Sequence, residues 1–125
     1  MADLTLQRIP FTSGADNQMR ALKGRTGITP NYFCRLGFCL SLDEPGIPEV
    51  PNKFDESGRE INRFTLLGEY DTAYVSLLKV WMTKKKLDAR DSGQIDELFI
   101  AHMNRGVELI VSRIKTLSDI GSLAR

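Results

Sequence analysis

Leu4 and Leu6 alternate with Thr5 and Gln7 near the start of the chain. This period of two predicts a short strand over residues 3–9 with one buried face. Pro10 has no N–H to give a ladder, so the strand ends there or lies at an edge. The period then changes. Ala15, Met19 and Leu22 mark one face of a helix that starts at Ser13, whose hydroxyl can cap the first amides. Asp16, three residues on, stands in for the glutamate of a capping box. The helix runs to about Arg25, and Gly27 is the candidate left-handed residue that closes it. A second helix opens at Thr29-Pro30, a preferred N-cap followed by a preferred first residue. Ile28 just before the cap can pack on Phe33 as a hydrophobic staple. Phe33, Cys34, Leu36, Gly37, Phe38, Leu40 and Leu42 leave this helix little polar surface, which predicts a central position.

The segment from Asp43 to Glu60 breaks the pattern. Pro45, Pro48 and Pro51 punctuate it, acidic side chains crowd it, and no regular element fits. Residues 61–68, INRFTLLG, suit either a second strand or an extended entry to a helix. Tyr70, Ala73, Tyr74, Leu77, Leu78 and Trp81 then follow helical spacing, and this helix ends near Lys84-Lys85-Lys86, where cations suit the C-terminal dipole. After a turn over residues 88–93, Ile95, Leu98, Phe99, Met103, Val107, Ile110, Val111, Ile114 and Leu117 define a long amphipathic helix. Gly37 and Gly106 each cost about 1 kcal/mol against alanine inside a helix. Close approach of another helix accounts for both. The expected fold is mainly α in one domain, residues 1–125. A strand, a helix, a glycine turn and a Thr-capped helix resemble the ribbon-helix-helix architecture, here followed by additional C-terminal helices. In that architecture a symmetric dimer pairs its N-terminal strands, and Thr5, Gln7 and Arg8 would reach a DNA groove. Alternatively, the strand pairs within its own subunit.

Charge adds what hydropathy does not carry. The formal net charge is only +1, but it is segregated. Residues 1–38 hold Arg8, Arg20, Lys23, Arg25 and Arg35 against Asp3 and Asp16, while residues 39–72 are strongly acidic and residues 73–90 are basic again. An anionic partner is attracted by the first and third blocks and repelled by the second. No apolar run approaches the roughly 20 residues that span a bilayer, and the N-terminus lacks the form of a signal peptide. Cys34 and Cys39, both within an apolar segment, suit a reducing cytoplasm.

Reactive chemistry is sparse. His102, the single histidine, lies on the apolar side of the last helix and reads as a core or interface residue. Cys34 and Cys39 point about 140° apart on a helix and cannot share a metal there. The sequence GRTG at residues 24–27 lacks the Gly-Lys-Ser/Thr ending of a phosphate-binding P-loop. Tyr32, Tyr70 and Tyr74 are the available phosphodiester nucleophiles, and none has an evident base or metal cluster beside it in the sequence. No catalytic residue, cofactor or metal is expected. What remains is the start of the second helix. Its first-turn amides lack intrahelical partners and favour an anion, with Lys23 and Arg25 in the preceding turn as clamps. Thr29 caps that site.

Four stretches carry a resemblance: ALKGRTGITPNYFCRLGFCLSLDEPGIP (21–48), NRFTLLGEYD (62–71), HMNRGV (102–107) and TLSDI (116–120). Together they resemble the DndE family, small DNA sulfur-modification proteins of the phosphorothioation system. The resemblance implies a non-enzymatic DNA-binding subunit with a mostly helical, ribbon-helix-helix-like fold. It also implies a homo-oligomer, a tetramer in particular, and binding to nicked duplex through surface lysines. Partner proteins of the phosphorothioation complex supply the sulfur that replaces a non-bridging phosphate oxygen. The family's basic turn falls on Lys23 and Arg25, with Arg20 and Arg35 one helical step to either side. Lys84, Lys85 and Lys86 fit either a solvated helix end or a DNA contact. The alternative function is a scaffold, with the acidic loop 43–60 or the last helix docking the sulfur-transfer partners and DNA contact secondary.

Overall fold

The computed structural model describes residues 3–51 and 59–113. In them the chain forms β1 (Arg8–Pro10), α1 (Ser13–Thr26), α2 (Pro30–Asp43), β2 (Glu60–Asn62), α3 (Arg63–Leu67), a 3-10 turn (Gly68–Tyr70), α4 (Asp71–Lys84) and α5 (Ser92–Arg113). The architecture is mainly helical with one small sheet. The middle of the acidic segment, Ile114, Leu117 and the TLSDI stretch lie outside the described residues.

The α2–α5 crossing organises the core. A Cβ added to Gly37 would fall 2.6 Å from the Gly106 carbonyl oxygen, and one added to Gly106 would fall 2.4 Å from the Gly37 carbonyl carbon. Only a hydrogen fits at either position, so backbone packs directly on backbone. This is the close helix approach that two interior glycines predict. Phe38 packs beside the crossing against Phe99 and Tyr74, with ring centroids 5.2 and 5.7 Å away. Phe38, Leu78, Met82, Phe99 and Met103 are fully buried in this cluster. Each such side chain stabilises the fold by about 1.5–3 kcal/mol. Leu22, Phe33 and Ile110 form a smaller cluster, and Ile28 packs on it as the staple predicts.

β1 and β2 pair antiparallel in a two-stranded sheet, with Ile9 opposite Ile61 and Pro10 opposite Glu60 at its end. The first strand therefore pairs within its own chain, and β2, which follows α2, completes the ribbon. The ladder is also shorter and later than the alternation at residues 3–9 predicts. Leu4 is buried, yet the neighbouring Thr5 N–H donates to the Asp96 carboxylate at 2.8 Å rather than to a strand. A second long-range tie holds residues 10–12. Thr12 N–H donates to Asn104 Oδ1 at 3.0 Å, and Asn104 Nδ2 donates back to the Pro10 carbonyl at 3.2 Å. Together these bonds clasp residues 5–12 onto α5.

That clasp corrects the predicted start of α1. The N-cap is Thr12, whose hydroxyl oxygen accepts from Ala15 N–H at 3.1 Å, and not Ser13. Asp16 makes no capping box; it is buried and receives two arginines. Gly27 closes α1 as expected, with φ 76° and its N–H on the Lys23 carbonyl at 2.8 Å. In the ambiguous stretch 61–68 both readings hold in succession. β2 ends at Asn62, whose side chain accepts from Phe64 and Thr65 N–H and starts α3. α4 closes at Lys86, a non-glycine residue with φ 61°. Its N–H meets the Thr83 carbonyl, and Leu87 N–H reaches Met82, the two-bond closure that usually employs glycine.

Candidate nucleic-acid interface

Two helix ends meet at residues 23–32. Lys23 and Arg25 stand in the last turn of α1, and Gly27, Ile28 and Thr29 lead directly into Pro30 at the start of α2. Lys23, Gly24, Arg25, Gly27 and Thr29 are all exposed. Neither Lys23 nor Arg25 forms an ion pair among the described residues. Thr29 occupies the N-cap position in extended conformation but gives no side-chain cap; its hydroxyl donates to Asn31 Oδ1 at 2.5 Å instead. Pro30 has no N–H, and Tyr32 N–H turns back to the Thr29 carbonyl at 3.2 Å. The start of α2 is thus open, whereas Thr12 caps α1 and Asn62 caps α3. Cations near the end of α1 also suit that helix's dipole, so one arrangement serves both helices.

The neighbouring arginines are engaged. Arg20 is exposed but forks onto Asp16, both contacts at 3.3 Å. Arg59 places Nε 3.0 Å from the same carboxylate. Two guanidinium groups on one carboxylate leave a net positive site. Arg59 also lines a depression of about 290 Å³ with Thr29, Pro30, Asn31, Ile61 and Thr65. Its arrival beside α2 has no local signal, because it comes from the acidic block through the β1–β2 pairing. Arg35 is held by a bond from Nε to the Leu66 carbonyl at 2.7 Å and lies over the rings of Tyr32 and Tyr70. Lys84, Lys85 and Lys86 are exposed at the far end of α4.

Cys34 and His102 are built into the core, and Cys39 and Tyr74 are partly desolvated. Cys34 is buried 3.5 Å from the Met19 sulfur, and burial pushes its thiol up to about 12. Cys39 is exposed, yet partial desolvation raises its pKa as well. Desolvation likewise raises that of Tyr74, which disfavours it as a nucleophile. His102 is fully buried, with Nδ1 2.7 Å from Ser41 Oγ. Arg105 Nε–H donates to that same oxygen at 2.8 Å, which frees the hydroxyl proton to point at Nδ1. The neutral ring then carries its hydrogen on Nε2, next to Trp81, whose ring lies edge-on with centroids 4.3 Å apart. Burial first, and the Arg105 charge second, lower the His102 pKa to about 3. Among the described residues no group of three or more His, Cys, Asp and Glu could hold a metal ion, and no helix is long and apolar enough to cross a membrane.

The chain is mainly helical, with a short intrachain ribbon and an exposed basic turn ahead of a helix whose N-cap residue makes no side-chain cap. The family model of the DNA sulphur modification protein DndE matches residues 8–118, so the chain belongs to the DndE family. It is similar to the crystal structure of DndE from Escherichia coli B7A, described as involved in DNA phosphorothioation modification, at 25% identity and TM-score 0.64. That match covers 88% of this chain and 98% of the other. It also matches a DndE variant with glycine-to-lysine substitutions at 23% identity and TM-score 0.62, over 86% of this chain and 98% of that one, a likeness of fold. No curated protein matches the chain.

Proposed function

We propose that this protein is a non-enzymatic DNA-binding subunit of the phosphorothioation machinery, with a preference for nicked duplex. Lys23 and Arg25 hold the DNA backbone together with the first turn of α2. Arg20 and Arg35 contribute field more than direct contact, because each already has a partner. The observation that carries the reading is the pair of exposed cations, without an ion pair among the described residues, ahead of a helix start whose N-cap residue gives no side-chain cap. One protomer offers few phosphate contacts, so useful affinity calls for a homo-oligomer, a tetramer by family resemblance, that repeats the turn.

The test is a salt titration of binding to nicked, intact and single-stranded DNA, with oligomer mass followed by light scattering. Each phosphate neutralised steepens the log–log salt slope by about 0.9 on duplex. Lys23→Glu with Arg25→Glu is expected to weaken binding and flatten that slope while leaving the fold intact. Unchanged affinity and slope for nicked duplex would refute the assignment. A scaffold reading draws on Ile47 and Val50, exposed among Asp43, Glu44 and Glu49. Deleting that segment would abolish capture of partner proteins and spare DNA affinity if docking is its main work.

A further inference from the structure

Tyr32 and Tyr70 are far apart in sequence, but the fold brings both to Arg35. The guanidinium carbon lies 5.5 Å from the Tyr32 ring centre and 5.7 Å from that of Tyr70. The bond from Arg35 Nε to the Leu66 carbonyl fixes its direction. Gly68, with φ 55°, lets the 3-10 turn pass so close that an added Cβ would sit 3.3 Å from Arg35 Nη2. No carboxylate pairs with Arg35 among the described residues. Although they flank a cation, the rings remain open: Tyr32 is 58% and Tyr70 52% exposed. Phe64, at 78%, lines a depression of about 340 Å³ together with Gly68.

We infer that the Tyr32–Arg35–Tyr70 cluster, with Phe64 at its margin, is a stacking platform for an unpaired nucleobase. This rests on the DNA-binding reading and adds to it a source of nick discrimination. Phosphate contacts position a protein but do not sense whether a base has left its stack. Aromatic faces and a guanidinium plane do, because a base must leave its stack to reach them, and a strand end frays more readily than continuous duplex. Tyr32 lies only three residues beyond Thr29, about 4.5 Å along the helix axis. A base on the platform therefore adjoins a backbone held at the basic turn. A negatively charged strand also suits a surface centred on an arginine that no carboxylate neutralises among the described residues better than an apolar protein face does.

The experiment compares wild type, Tyr32→Ala with Tyr70→Ala, and Tyr32→Phe with Tyr70→Phe. The probes are a nicked duplex bearing 2-aminopurine at the strand end and an intact duplex of the same sequence. Wild type is expected to change the 2-aminopurine fluorescence. The alanine pair should lose that change and bind nicked DNA about tenfold or more weakly, with intact-duplex affinity unaltered, while the phenylalanine pair keeps both. If the alanine pair melts early, Tyr32→Ala alone carries the same expectation. A nick preference that survives in a folded alanine variant overturns the platform and leaves the DNA-binding reading standing. Loss of oligomer mass with unchanged nick preference per protomer also overturns it and makes the patch a protein contact. Wild type that binds none of these DNAs removes both.

Discussion

At Gly37, α2 meets α5 with no room for a methyl group, whereas about two turns earlier it begins half-exposed, after a turn whose Lys23 and Arg25 are open to solvent. The crossing is dry and has one geometry, because displacement of either backbone would collide with the other. The basic turn is exposed, its cations form no ion pair among the described residues, and the helix start lacks a side-chain cap. Stability and recognition thus occupy different stretches of one helix. A change at the crossing should be read in unfolding experiments, and a change at the turn in binding experiments.

The largest stability loss expected from a substitution at neutral pH, other than at the imidazole, is at the crossing. Gly106→Ala should lower the unfolding free energy by about 3 kcal/mol in urea titration, despite the gain of about 1 kcal/mol in helix propensity. A neutral result would mean that α2 and α5 separate freely, and the contrast would fail. Next comes the buried imidazole beside the crossing. His102 has its pKa lowered from 6.5 to about 3, so the unfolded chain binds the proton first. The stabilisation is fully present above about pH 6.5 and is lost as pH falls toward 3. The expected slope is about 1.4 kcal/mol per pH unit, and His102→Gln should remove this contribution from the pH–stability profile. A smaller change, of opposite sign, is expected at the other cationic helix end. Lys86→Gly relieves a left-handed lysine and should stabilise by about 1 kcal/mol in thermal melts. If nicked-DNA affinity also drops, the lysines at the end of α4 join the interface. Smallest of all is the cost of Lys23→Glu with Arg25→Glu, within about 0.5 kcal/mol in the same melts. A large loss of stability there would show that the turn is structural after all.

Local chemistry made much of this legible. Gly27 and Pro30 delimit their helices as their residue types require, although Thr29 holds the N-cap position without a side-chain cap, and Gly37 and Gly106 signalled close packing because helices otherwise disfavour glycine. The errors fall where a distant residue decides. Thr12 and Ser13 are both good caps, and Asn104 selects Thr12 by holding its N–H. Asp16 looked like half of a capping box until β2 delivered Arg59 to it. Alternation at Leu4 and Leu6 marked burial correctly but misplaced the ladder, because Asp96 takes the Thr5 amide. For the candidate site, the exposure of Lys23 and Arg25 could be read from sequence. The engagement of Arg35 could not, since Leu66 and Tyr70 reach it only through the tertiary fold.

The ties from Thr5 to Asp96 and from Thr12 to Asn104 join residues about ninety positions apart. A ribosome adds some 5–20 residues per second. The leading segment of a nascent chain must therefore wait several seconds, with Ile9 and Phe11 uncovered, before its anchoring helix emerges. During that interval the growing polypeptide exposes an adhesive tip that folding chaperones would be expected to shield.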